Sequence, residues 1–159
     1  MRKTAGISGL LLVLSVTVTF ATENPLLGTW KLKAFVREVL ATGERYNQRG
    51  SYSADGRMYA IIVSDDRINP HNVAPTGEQR AELHESMIAY AGAYTLDGEK
   101  VIHHVDISWN EAWTGTDQVR FYKLDGNILN IIAAPGRSPV DGREGRAILV
   151  FERVKSPDP

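Results

Sequence analysis

Four Asp-Gly pairs punctuate the chain, at Asp55-Gly56, Asp97-Gly98, Asp125-Gly126 and Asp141-Gly142. Both residue types tolerate the positive φ of a two-residue hairpin, so each pair set between β-rich runs makes the flanking segments antiparallel neighbours. The first three stand between runs of strand character. Reading outward from them predicts strands over about 28–39, 46–53, 57–64, 93–96, 100–109, 117–124, 128–133 and 147–154. In the first of these, Trp30, Leu32, Ala34 and Val36 alternate with Lys31, Lys33 and Arg37, the pattern of a half-buried strand.

One helix is expected between strands three and four. Thr76 can cap it, residues 77–90 carry it, and Ala81, His84, Met87, Ile88 and Ala91 share one face at helical spacing. Eight evenly spaced antiparallel strands favour an all-β, eight-stranded up-and-down β-barrel, because closure removes both exposed edges. The interior of such a barrel accommodates side chains or one small ligand.

The ends bound the domain. Arg2 and Lys3 precede an uncharged apolar run from Ile7 to Phe20, and Thr19-Phe20-Ala21 places small residues where a signal peptidase reads. The expectation is an export signal over residues 1–21 and a single domain over 22–159, periplasmic or secreted. An uncleaved anchor is the alternative; Ser8, Gly9, Ser15, Thr17 and Thr19 within the run, and the cleavage pattern after it, argue against one. Loss of residues 1–21 from the 159 leaves 138, with 16 of 18 bases against 19 acids, a net charge of −3. No basic run remains for nucleic acid and no second stretch for a membrane span. Cysteine is absent, which excludes thiol catalysis, disulfides and iron–sulfur clusters. The prolines of the 155–159 tail cannot extend a strand.

Asn24-Pro25-Leu26-Leu27-Gly28-Thr29-Trp30 looks like the opening of lipocalins, whose first strand carries a Gly-x-Trp element. The ordered segments Tyr52-Ser53-Ala54-Asp55-Gly56-Arg57-Met58, Ala89-Tyr90-Ala91-Gly92-Ala93-Tyr94, His103-His104-Val105, Trp113-Thr114-Gly115-Thr116-Asp117-Gln118-Val119-Arg120-Phe121 and Leu149-Val150-Phe151-Glu152-Arg153 resemble the bacterial and fungal lipocalin-like domain proteins. The resemblance spans residues 24–153 and implies a calycin-type barrel that binds a small apolar or amphipathic molecule. It also implies that Trp30 plugs the closed end with Arg153 across it, a structural pair outside any binding site.

Neighbouring strand residues face opposite ways, so His103 is expected inward, with Val101, Val105, Ile107 and Trp109, and His104 outward with Asp106. Gln118, Arg120 and Tyr122 share one face. An inward Arg120 needs an acidic partner: Glu38, Asp106, Glu152 or a ligand carboxylate. His71, His84, His103 and His104 match no zinc spacing. No nucleophile elbow, phosphate loop or dinucleotide fingerprint occurs, and no cofactor or metal is expected. The segment 65–76 and the helix after it could cover the barrel mouth as a lid, or pack permanently on its wall.

Together these point to an exported carrier of a small apolar or amphipathic molecule. Tyr59, Met87, Tyr90, His103, Trp113 and Arg120 are the expected ligand-binding residues. One alternative is a cofactor-independent isomerase, cyclase or dehydratase using His103 as acid/base, with Tyr94 or Arg120 polarising a carbonyl. Another is a protein-binding module working through the outer wall. Ligand identity and oligomeric state are not set by these patterns.

Overall fold

At three Asp-Gly pairs the chain reverses, with Gly56, Gly98 and Gly126 at φ of 104°, 56° and 55°. The computed structural model describes residues 24–155 except 44, 47, 72, 139 and 140, and for 45 and 46 the backbone alone. Residues 1–21, where an export signal is expected, and the end of the proline-containing tail lie outside the described residues. The strands are β1 Gly28–Val39, β2 Arg45–Tyr46, β3 Gln48–Ala54, β4 Arg57–Ser64, β5 Met87–Asp97, β6 Lys100–Ser108, β7 Asp117–Asp125, β8 Ile128–Ala133, β9 Gly136–Arg137 and β10 Glu144–Arg153.

Eight of them follow one another around the sheet as β1-β3-β4-β5-β6-β7-β8-β10, all antiparallel, and β10 pairs back onto β1. The protein is therefore a closed eight-stranded barrel. The two-residue strands β2 and β9 add short pairings beside β1 and β10. Counted with them, the helix α1, Gly77–Glu85, lies between the fourth and fifth strands, because β2 adds one before it. The three tight turns gather at the end that carries Trp30 and Arg153. The longer connections, after β1, β4, β6 and β8, gather at the other end.

Helix α1 is shorter than expected. Thr76 caps it in a full capping box with Gln79, and Ser86 ends it. Met87, Ile88, Ala89 and Tyr90 belong to β5, where they pair with Val63, Ile62, Ile61 and Ala60. Their apolar side chains suit a helix face and a strand equally, and cross-strand partners on β4 decide the outcome.

A second departure re-aims β1. The β1–β10 register slips between Leu32 and Ala34, inserting one extra residue. A bulge exchanges the faces of every side chain beyond it. Phe35 and Val39 are consequently buried, Ala34 is exposed, and Arg37 turns inward, the reverse of simple alternation. The β5–β6 register slips likewise at Ala91/Gly92, which leaves Ile107 64% exposed instead of inward. Gly92 is required there: a Cβ would stand 1.9 Å from the carbonyl oxygen of His104.

The core fills the closed end. Trp30, Tyr52, Met58, Val101, Leu129 and Phe151 are all but inaccessible. The segment before β1 folds across this end and buries Leu26, whose carbonyl accepts from the Trp30 indole at 2.9 Å. Arg153 lies over the same indole, its guanidinium carbon 3.9 Å from the ring centroid, and donates to the carbonyls of Pro25 and Leu27. Such a cation over an indole contributes roughly 0.5–2 kcal/mol. Gly28 makes the close fit possible, with φ 116° and Arg153 Nη1 3.2 Å from where a Cβ would stand.

Candidate functional site

Above the core the barrel opens into a cavity of about 250 Å³. Its wall is mainly apolar: Phe35 from β1, Ala60 and Ile62 from β4, Ile88 from β5, Ile131 from β8, Leu149 and Phe151 from β10. Alternation on each strand turns these side chains inward, and the bulge in β1 adds Phe35 and Arg37.

Among the described residues His103 is the buried polar side chain of the barrel, 1% exposed. Its Nε2 lies 3.3 Å from the Tyr52 hydroxyl and its Nδ1 3.0 Å from that of Tyr90. Burial, helped by the positive charge of Arg120 and then by His104, lowers its pKa to about 3. The ring is neutral at ordinary pH, so one nitrogen donates and the other accepts. One tyrosine therefore donates to the ring and the other receives from it. The receiving tyrosine keeps its own O–H for a further acceptor. Burial also raises both hydroxyls far above the usual phenol range. This trio is a set of neutral hydrogen-bonding groups. An imidazole held so far below neutrality is a weak base, and as a donor it has only its neutral N–H to offer.

From His103 an aromatic series runs outward. Tyr90 meets Trp113 edge-on at 5.4 Å, Trp113 meets Trp109 edge-on at 5.2 Å, and Trp109 lies 6.3 Å from His84 on α1. The His84 ring also contacts the Trp109 carbonyl at 3.1 Å. Helix α1 is thus tethered at the mouth, but it buries no side chain and does not border the cavity. The rim is formed instead by residues around β9 and the start of β10, among them Arg137, Ser138, Gly145 and Arg146.

Of the expected binding residues, Tyr90, His103, Trp113 and Arg120 meet at the cavity. Tyr59 does not. It lies on the outer face of β4, 46% exposed, with the Arg57 guanidinium 6.0 Å from its ring. Met87 is also away from the lining, its sulfur 3.7 Å from the Arg67 guanidinium. Period-two alternation could not separate Tyr59 from Ala60, since both faces of β4 are apolar. Tyr52, by contrast, shares a face with the buried Ala54, and that alternation was a readable signal for it.

Arg120 points inward with Gln118 but meets none of the carboxylates considered for it. It donates to the Val119 carbonyl at 2.9 Å and to Gln118 Oε1 at 3.2 Å, and stands 6.0 Å from the Trp113 ring centroid. Glu38 is taken by Arg146, Asp106 by Arg57, and Glu152 by Lys33. Tyr94, at the closed end, contacts the Asn24 amide and does not line the cavity. Asp141 receives both Arg37 and Arg143. Its burial opposes ionisation, but their hydrogen bonds outweigh it and hold the carboxyl well below its usual range. His104 faces outward, between Thr95 and Asp117. No group of three or more His, Cys, Asp or Glu placed to hold a metal ion occurs among the described residues. No helix among them is long and apolar enough to cross a membrane.

The family model of the lipocalin-like domain matches residues 27–154. No curated protein matches the chain. A crystal structure of an uncharacterized protein from Bacteroides eggerthii DSM 20697 is similar over 81% of this chain and 99% of that one, at 14% identity and a TM-score of 0.43.

Proposed function

Since the chain belongs to the lipocalin-like domain family, we propose that it carries one small apolar or amphipathic molecule in the barrel cavity. Barrels of this kind hold small ligands inside in general. The observation that carries the reading here is a cavity of about 250 Å³ with an apolar wall and a few convergent polar groups, His103, Tyr90 and Arg120. Trp113 and Tyr90 supply flat contact area, while the neutral His103 relay and Arg120 orient a polar end. The depressed basicity of His103 favours this over proton-transfer chemistry. Export to the periplasm or medium belongs to the same proposal, supported by the charged start and apolar run of residues 2–20. N-terminal sequencing of the exported protein would find Thr22 first; a start at Met1 or Arg2 would remove that part.

The test of binding is native mass spectrometry of the protein purified from cells that naturally make it, together with titration of 2-naphthol, a neutral fluorophore. A co-purifying molecule released on denaturation, and 2-naphthol binding weakened by Trp113→Ala, are expected. An empty protein that also leaves 2-naphthol in solution would overturn the reading.

A further inference from the structure

Among the described residues the charges around the cavity do not balance: four arginines border it, Arg37, Arg120, Arg137 and Arg146, and no carboxylate does. Two of them are answered from outside the lining, Arg37 by Asp141 at 2.8 Å and Arg146 by Glu38 at 2.7 Å. Arg120 and Arg137 have no acidic partner among the described residues. Arg137 stands exposed at the rim, where water solvates it. Arg120 is half-buried, on the inner face of β7, and must be neutralised or left at a cost.

Its hydrogen bonds are also incomplete. A guanidinium has five N–H donors in a rigid fork. Arg120 spends one on the Val119 carbonyl and one on Gln118 Oε1. These contacts fix the plane of the group and leave about three of its donors uncommitted. Beside it, Tyr90 packs on the same Trp113 ring, and in the tautomer in which His103 Nδ1–H donates to its hydroxyl, that O–H is left for a second oxygen.

Resting on the carrier reading above, we infer that the ligand is a small carboxylate, its anionic head held by Arg120 beside Tyr90 and its apolar body against Ile131, Leu149 and Phe151. A carboxylate matches the planar fork, and a low-dielectric wall strengthens the pairing. The cavity limits the size. At a liquid water share of roughly 30 Å³, about 250 Å³ holds about eight separate waters, and covalently bonded atoms sit closer together, so about ten or eleven non-hydrogen atoms of one molecule fit. That is the size of a medium-chain or aryl-alkyl acid, well short of a long-chain lipid. Arg137 at the rim adds long-range attraction for such an anion.

The experiment compares octanoate with octanamide, and 3-phenylpropanoate with its amide, by calorimetric titration of the protein and of Arg120→Gln. Each pair matches in size and differs in charge. The acids are expected to bind about tenfold or more tightly than the amides, a preference that weakens as salt is raised. In Arg120→Gln, with an unchanged far-ultraviolet circular dichroism spectrum, the acids should lose their advantage and bind no more tightly than the amides. Should Arg120→Gln fail to fold, the acid-over-amide preference of the unaltered protein and its salt dependence still decide charge selection. Equal binding of acids and amides would leave the carrier reading standing and overturn the carboxylate inference. An acid preference that survives in folded Arg120→Gln would overturn the assignment to Arg120. If none of the four compounds bound, the carrier reading would fail for ligands of this size, and this inference with it.

Discussion

The buried histidine makes stability depend on acidity in a calculable way. His103 has a pKa of about 3 in the folded protein against an ordinary value of 6.5. Unfolding releases the ring to water, where it takes up a proton below pH 6.5, so acid favours the unfolded chain. The stabilisation from keeping it neutral is complete above pH 6.5 and is lost as pH falls toward 3. Each unit of difference is worth about 1.4 kcal/mol, so the whole window amounts to about 5 kcal/mol. A pH of 5 lies about 1.5 units below the ordinary value of the ring, so about 2 kcal/mol should already be gone. His103→Gln tests this, because a glutamine amide can both donate and accept between Tyr52 and Tyr90 and does not titrate. Urea unfolding of both proteins at pH 7.5 and pH 5 gives the comparison. The unaltered protein should lose about 2 kcal/mol more than the variant between the two pH values. Every other group is the same in both proteins, so its contribution cancels in the comparison. Equal losses, within about 0.5 kcal/mol, would show that His103 is solvated or charged in the fold and would refute the neutral relay.

The bulge in β1 predicts opposite costs at adjacent residues: Phe35→Ala should destabilise by about 3–5 kcal/mol and Val36→Ala by about 1 kcal/mol or less in urea titrations, and the reverse order would restore simple alternation. Gly28→Ala, at φ 116° and against Arg153, should cost about 1–3 kcal/mol and lower the melting temperature in calorimetry; an unchanged melting temperature would contradict the close fit. Arg153→Met should cost about 1–3 kcal/mol and alter Trp30 fluorescence, since it removes the cation from the indole and the donors from Pro25 and Leu27.

Much of the barrel was legible because its turns are. Asp55-Gly56, Asp97-Gly98 and Asp125-Gly126 have few backbone options, and they set the strand order before any packing is considered. The inward placement of His103 followed from alternation on the part of β6 that precedes its slip, while alternation grouped Arg120 with Gln118 and Tyr122 without choosing their side. Alternation failed where a ladder gains a residue. Nothing local in Leu32-Lys33-Ala34-Phe35-Val36 marks the slip against β10, and simple alternation therefore puts Ala34, Val36 and Arg37 on the wrong sides. The length of α1 was unreadable for a related reason: Met87 to Tyr90 satisfy both periods, and only β4 chooses between them. The cavity itself depends on which interior side chains stop short of meeting, which is a property of volumes rather than of pattern.

The pairing of β1 with β10 has a kinetic consequence. β3–β4, β5–β6 and β7–β8 are hairpins joined by turns, and each can form alone from neighbours in the chain. The closing seam joins the first barrel strand to the last, with Arg153 bonded to Pro25 across 128 residues. Closing a loop of that length costs about 2 kcal/mol more entropy than closing one of about sixteen residues. The seam is therefore the late, rate-setting event, and its dependence on distant contacts places this fold among the slow ones. Until it closes, the nascent sheet presents two bare edges to other chains, so the hazard of edge-to-edge aggregation is concentrated in that interval.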